Sequence, residues 1–197
     1  MGRDFLFLTH PDVVIDPQLP VPRWPLSARG RERMQRFLAA PWVRTIGAVW
    51  CSDEQKAIDA AEILSGGLGL RFQTHAELGE NDRSATGYLA TAEFEATADQ
   101  FFAHPHDSIR GWERAVDAQA RIVRAVTHVA CATPGDTPVC VVSHGGVGAL
   151  LFCHLARVPI SRQHDQPPGA GGYFFRWRGP AGELVHGWRS IDSPEFP

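Results

Sequence analysis

No apolar run in this sequence approaches the roughly 20 residues that a bilayer-spanning helix needs. The apolar opening, Phe5-Leu-Phe-Leu8, is too short for the core of a secretory signal and runs straight into Thr9-His10-Pro11. Serine and threonine are missing from position 6, so Met1-Gly2 does not read as a myristoylation start. Cysteine is scarce, and the four present (Cys51, Cys131, Cys140 and Cys153) form no Cys-x-x-Cys pair. That argues against zinc or disulfides and for thiols packed in a reducing compartment. An excess of positive charge is missing as well: 19 Lys+Arg against 22 Asp+Glu give a formal charge of -3. The balance excludes a nucleic-acid binder that works by bulk charge, though a local basic pocket stays open. No repeat, charge block or low-complexity linker divides the chain. The expectation is a soluble, cytoplasmic protein with no nucleic-acid or membrane partner.

What is present is a globular composition, 44% hydrophobic and 21% charged, in 197 residues, the size of one domain spanning 1–197. Phe5–Leu8 reads as a short buried strand, followed by a loop with five prolines from Pro11 to Pro25. Ser27 is the N-cap of a helix burying Met34, Phe37 and Leu38 at helical spacing. Ile46–Cys51 is a second buried strand. Ser52 or Asp53 caps the next helix, whose Ala57, Ala60, Ala61 and Leu64 form a small-residue face. Helices follow over about Thr91–Phe102 and over a longer stretch carrying Trp112, Ala115, Ile122, Val126 and Val129 on one face. Pro138–Val142 is nearly continuous in β-branched residues, as in a strand buried on both faces. Gly145-Gly146 opens an apolar helix through Leu155. Tyr173–Trp177 and Leu184–Trp188 form a hairpin across Gly179-Pro-Ala-Gly182. Strands alternating with helices give an α/β class: a three-layer α/β/α sandwich with a mostly parallel central sheet.

Two histidines stand at strand ends. His10 follows Phe5-Leu-Phe-Leu-Thr9, and His144 follows Val139-Cys-Val-Val-Ser143 ahead of a glycine pair that starts a helix. Ligands of open α/β sheets collect at the carboxyl ends of strands, and free N–H groups at a helix start favour an anion. One such histidine would read as structural. Two at equivalent positions, one beside a glycine-opened helix, point to imidazoles facing an anion across one pocket. His104-Pro-His106 reads as an exposed loop, His154 as a packed residue of its apolar helix, and His164-Asp-Gln166 as a turn or as part of the pocket mouth.

Nearly the whole chain resembles the histidine phosphatase, or phosphoglycerate mutase-like, superfamily. Leu6-Phe-Leu-Thr-His10 stands where that family has a strand ending in Arg-His-Gly. Leu26-Ser-Ala-Arg-Gly30 matches Leu-Thr-x-x-Gly. Cys51-Ser-Asp-Glu-Gln-Lys-Ala57 with Asp59-Ala-Ala-Glu62 matches Ser-Ser-Pro-x-x-Arg-Ala and Thr-Ala-Glu. Leu78-Gly-Glu80 matches Leu-x-Glu, Asp107-Ser108 with Arg114 resembles Glu-Ser…Arg, and Val141-Val-Ser-His-Gly-Gly146 matches its signature directly.

The resemblance implies that His10 is the phosphoryl-accepting nucleophile, that His144 donates to the phosphoryl oxygens, and that Glu80 is the general acid and later the base. A raised pKa is expected of Glu80 beside a dianion site. Neither metal nor other cofactor is implied, and the partner is a small phosphorylated molecule or phosphate bound at Thr9, Gly145 and the pocket cations. Thr9 and Pro11 replace the family Arg and Gly, and Lys56 replaces a second Arg, so one bidentate fork is lost and the other becomes a point charge. Lys56 is expected to point into the pocket. Arg83, Arg23 and Arg29 are the candidates for the missing cation, Arg83 foremost; a solvated loop arginine is the competing reading. If the site is catalytic but weakened, Thr9→Arg with Pro11→Gly would raise the rate on a small aryl phosphate; if Arg83 or Arg23 already fills that space, the rate would fall. The activity implied is metal-independent phosphomonoester hydrolysis through a phosphohistidine. A weak or inactive member that binds a phosphorylated ligand or a protein is the alternative. A zinc hydrolase lacks histidines at ligand spacing.

Overall fold

The computed structural model describes residues 2–179 and 182–193. Six strands, β1 (Asp4–Thr9), β2 (Ala48–Cys51), β3 (Phe72–Thr74), β4 (Val139–Ser143), β5 (Tyr173–Arg178) and β6 (Leu184–Ser190), form one sheet in the order β3-β2-β4-β1-β5-β6. The first four in that order run parallel, while β5 pairs antiparallel with both β1 and β6. The expected hairpin is therefore present, but Pro180 and Ala181 of its turn lie outside the described residues.

The helices α1 (Ala28–Phe37), α2 (Gln55–Leu68), α3 (Thr91–Ala103), α4 (Ala115–Ala132) and α5 (Gly145–Ala156) cover both faces. The alternation of a strand explains how one sheet serves two cores. Phe5 and Phe7 pack with Ile122, Val126, Leu150 and Phe101 on the α3/α4/α5 side, and Leu6 and Leu8 with Met34, Phe37, Ala61 and Leu64 on the α1/α2 side. Ser27 caps α1 as expected, its hydroxyl accepting the Gly30 N–H at 3.1 Å. At α2 the cap differs: Glu54 is the N-cap residue, and Ser52 acts one step earlier by accepting the Glu54 N–H at 3.1 Å. Trp112 is buried but precedes α4. His154 is exposed between buried Cys153 and Leu155, so it faces outward and is not packed in the core. Cys51, Cys140 and Cys153 are buried free thiols, and Cys131 is exposed. No helix among the described residues is long and apolar enough to cross a membrane.

Register sets the site. Thr9 of β1 lies beside Ser143 of β4, and Cys51 of β2 beside Val142. The next residues, His10, His144 and Ser52, therefore emerge together at the carboxyl edge. Their backbones stay joined, with His10 N–H donating to Ser143 O at 3.1 Å and Ser52 N–H to Val142 O at 3.0 Å. The loop leaving His10 is tied down by Arg33, which is 5% exposed and binds Asp12, Asp192 and the Gly171 carbonyl.

Candidate active site

A cleft of about 1100 Å³ opens at this edge. Its lining includes Thr9, His10, Glu80, Arg83, Gly145 and Gln166, with Phe94, Phe101 and Phe102 as an apolar wall. The His10 and His144 rings meet edge to face with centroids 5.2 Å apart. His10 Nδ1 lies 3.0 Å from the Pro11 carbonyl. That oxygen can only accept, so Nδ1 carries the proton and Nε2 keeps its lone pair. Burial pushes the His10 pKa down to about 3, reinforced by His144 and Lys56 and opposed by the Pro11 carbonyl. The imidazole is thus neutral near pH 7, the state a nucleophile requires.

His144 is fully buried. Its Nε2 lies 2.8 Å from Ser52 Oγ and 3.3 Å from Glu54 Oε1. Its Nδ1 has no partner among the described residues, nor has Nδ2 of Asn81, which lines the cleft. Buried polar atoms are seldom left unpaired, so Asn81 Nδ2 is a place where a ligand oxygen would be accommodated; His144 lies behind His10 and does not line the cleft. Burial and Lys56 lower the His144 pKa against the pull of Glu54.

The charges around the two rings are already compensated. Lys56, the only lysine in the chain, is 5% exposed. Its ammonium pairs with Glu54 and donates to the Val21 carbonyl at 3.0 Å. It is near enough to help keep His10 neutral, yet its charge is met internally and it does not line the cleft. Arg83 does line it, pairs with Glu80 at 2.8 Å and stacks on Phe94 and Trp112 at 5.0 and 5.3 Å. Arg23 is exposed on a 3₁₀ turn and does not line the cleft; Arg29 is exposed and lies 3.5 Å from Asp12. His104 and His106 are exposed, as expected of a loop.

Glu80 departs from expectation. Its Oε1 accepts the N–H groups of Asn81 and Val147 at 3.1 and 3.0 Å, and its Oε2 accepts that of Gly146 at 3.1 Å. The carboxylate thus occupies the first turn of α5, where a bound anion was anticipated. Burial would raise its pKa, but Arg83, His144 and the Gly146 amide outweigh that and lower it. The expected raised pKa is corrected accordingly: a carboxylate held by amides and a guanidinium favours the ionised form.

Thr9 is 1% exposed; its hydroxyl donates to Gln166 Oε1 at 2.8 Å and accepts the Tyr173 N–H at 3.0 Å. A Cβ on Gly145 would lie 2.6 Å from Gln166 Nε2. Gln166 therefore bridges Thr9 and the start of α5, so the Thr9 hydroxyl is met by an amide side chain. Sequence reasoning overlooked Glu54 and Asn81. The signal for Glu54 was available: an acid two residues before a cation in a strand-to-helix turn at the sheet's carboxyl edge.

The fold and the paired imidazoles define a class, the phosphoglycerate mutase-like α/β sandwiches. The chain belongs to the histidine phosphatase superfamily (branch 1), whose family model matches residues 21–173. His10 precedes the matched stretch, and its placement rests on the geometry above. Among solved structures, the complex of the mycobacterial glucosyl-3-phosphoglycerate phosphatase with inorganic phosphate is 22% identical, with TM-score 0.79 and coverage of 97% of this chain and 99% of that one. YhfR of Bacillus stearothermophilus is 22% identical, with TM-score 0.74 and coverage of 93% and 94%. TTHB049 of Thermus thermophilus is 17% identical, with TM-score 0.65 and coverage of 93% and 98%. A search of curated proteins found no match.

The histidine environment predicts a pH dependence of stability. An unfolded histidine titrates near 6.5 and folded His10 near 3. As pH falls below 6.5 the unfolded chain takes up a proton that folded His10 does not. Stability is lost at up to about 1.4 kcal/mol per pH unit until pH 3 is reached. Asp165, raised to about 6, acts in the opposite sense between pH 6 and 3.8. Comparison with His10→Gln isolates the histidine: its urea midpoint should drop less between pH 7 and 5 than that of the native chain. Equal drops would refute the shift.

Proposed function

We propose that this protein hydrolyses a small phosphomonoester, with His10 as the nucleophile. The observation that carries the reading is the neutral ring of His10 in the cleft lining, its Nδ1–H held by the Pro11 carbonyl, so that Nε2 keeps a lone pair. Nε2 attacks phosphorus as the ester P–O bond breaks, and water then cleaves the P–N bond, releasing phosphate and free His10. In this reading the unpaired Asn81 amide in the cleft lining, and His144 beside His10, support the phosphoryl oxygens. The solved neighbour bound to inorganic phosphate agrees with a phosphorylated ligand. Gly145, Thr9 and Arg83 shape the binding end of the cleft.

A weak or purely binding role is favoured by one observation. Lys56 and Arg83 are each matched by a carboxylate, so a dianion meets little uncompensated positive charge. The two readings separate in one experiment. Incubation with dinitrophenyl phosphate and a denaturing quench should yield an acid-labile, base-stable phosphoprotein modified at His10, with turnover that persists in EDTA. Phosphate binding without phosphoprotein or turnover establishes the binding role; loss of turnover in EDTA with recovery on adding zinc or magnesium overturns the metal-free mechanism.

A further inference from the structure

We propose that Asp165 is the group that protonates the leaving oxygen and afterwards deprotonates the attacking water. This rests on the phosphohistidine reading above. Four carboxylates line the cleft: Asp12, Glu80, Glu95 and Asp165. Asp12 is paired with Arg33, Glu80 with Arg83, and Glu95 with Arg162. Among the described residues only Asp165 has no cationic partner. Its Oδ1 accepts the Gln166 N–H at 2.7 Å, and its second oxygen takes no hydrogen bond from the described residues. Every oxygen of Glu80, by contrast, is committed to amides or to Arg83. A general acid must hold a proton at the working pH and be free to pass it on, and Glu80 meets neither condition.

The position of Asp165 is built, although it lies in a loop. The next residue, Gln166, is anchored to Thr9, beside the nucleophile, and lies against Gly145. On the other side, Arg162 is pinned to α3 by Glu95 and Asp99 and by the Glu95 carbonyl at 3.0 Å. Trp188 fixes the intervening His164 by donating to its carbonyl at 2.9 Å. The loop is thus held at both ends of the residue. Of the charged and titratable groups that line the cleft with Asp165, Arg162, Glu95 and Glu80 act on it, and His10, Asp12 and Arg83 share the lining. Burial raises its pKa to about 6; Glu80 and Glu95 push the same way, against the Gln166 amide and Arg162. That value suits an acid and base working near neutrality.

The steps balance. His10 Nε2 forms the P–N bond, the ester P–O bond breaks, and the leaving oxygen takes the Asp165 proton to give an alcohol. In the second step Asp165 carboxylate takes a proton from water, the water oxygen bonds to phosphorus, and the P–N pair returns to His10.

The test compares kcat/KM, which reports the first step alone, on dinitrophenyl phosphate and phenyl phosphate. The first leaves as a stable phenolate without a proton; the second needs one. Asp165→Asn should lower kcat/KM on phenyl phosphate by about 100-fold or more and leave the dinitrophenyl ester within a few-fold. The phenyl phosphate pH profile should lose its fall above about pH 6, and Asp165→Glu should recover part of the rate. Unfolding midpoints for each variant verify that the fold is retained. Equal losses on both esters, no loss on either, or a leaving-group-selective loss in Glu80→Gln but not Asp165→Asn would each overturn the assignment to Asp165. Native protein that turns over neither ester and forms no phosphoprotein overturns the phosphohistidine reading itself, and this inference with it.

Discussion

His10→Gln should reduce turnover of dinitrophenyl phosphate by about ten-thousand-fold or more, the scale on which loss of a nucleophile acts. Glutamine is close to histidine in size, and its amide stands where Nε2 was, leaving the Pro11 carbonyl without the Nδ1–H it meets at 3.0 Å. What it lacks is a nitrogen lone pair, because the amide nitrogen is delocalised. The comparison therefore removes nucleophilicity while keeping the packing against His144, whose ring centroid lies 5.2 Å away. Phosphate binding should persist, since His144, Asn81 and the cleft walls remain. Initial rates, together with intact-mass measurement of the phosphoprotein, decide the matter. A residual rate within about tenfold of native would mean that another group accepts the phosphoryl, or that water attacks directly.

His10 and His144 were legible because a parallel sheet obeys local rules. An apolar run that stops at a histidine places that histidine at the carboxyl edge, and neighbouring parallel strands bring two such ends together. The pairing of Thr9 with Ser143 does this here. The two cores were legible for a similar reason, since a strand apolar at every position must be covered on both sides. Glu54 was harder to read. It stands one residue before α2 with extended backbone, φ -77 and ψ 139, so helical spacing gives no guide to what it meets. Its contact with Lys56 and its approach to His144 are products of that turn. The lowered pKa of Glu80 escaped because a neighbouring dianion was weighed without Arg83 and the α5 amides, which hold the carboxylate ionised. The Thr9–Gln166 bond spans 157 positions in sequence, and no local pattern announces it.

These missed contacts share a consequence. Each of them satisfies a polar or charged group inside the protein. An amide side chain meets the Thr9 hydroxyl, a carboxylate neutralises Lys56, and another occupies the start of α5. The unliganded site is therefore well satisfied, and an incoming anion must compete with Glu54 and Glu80 for the same cations and amides. Satisfaction of this kind stabilises the empty site at the expense of ligand affinity.

Glu54→Gln should shift that balance in both directions at once. Glu54 is ionised at neutral pH: burial favours its neutral form, but His144, Lys56 and the Glu80 amide outweigh it and lower its pKa. Glutamine retains a carbonyl to accept the Glu80 N–H now held at 2.8 Å. It removes the charge opposite Lys56, which is 5% exposed and left with only the Val21 carbonyl. Breaking a buried ion pair on one side costs roughly 3–5 kcal/mol, so the variant should unfold at markedly lower urea in ligand-free buffer. A phosphate dianion can then supply the missing charge, and it no longer faces Glu54. Phosphate affinity should rise by about tenfold or more, since a charge-assisted hydrogen bond contributes about 1.5–3 kcal/mol. Calorimetric titration with phosphate measures the affinity, and urea midpoints with and without phosphate measure the linkage; the variant's midpoint should respond to phosphate more strongly than the native one. The double replacement Glu54→Gln with Lys56→Met assigns the effect. If Lys56 is the released cation, the double variant recovers part of the lost stability and gives up the gain in affinity. If Glu54→Gln binds phosphate no better than native, Glu54 is not what holds Lys56 back from an anion in the cleft.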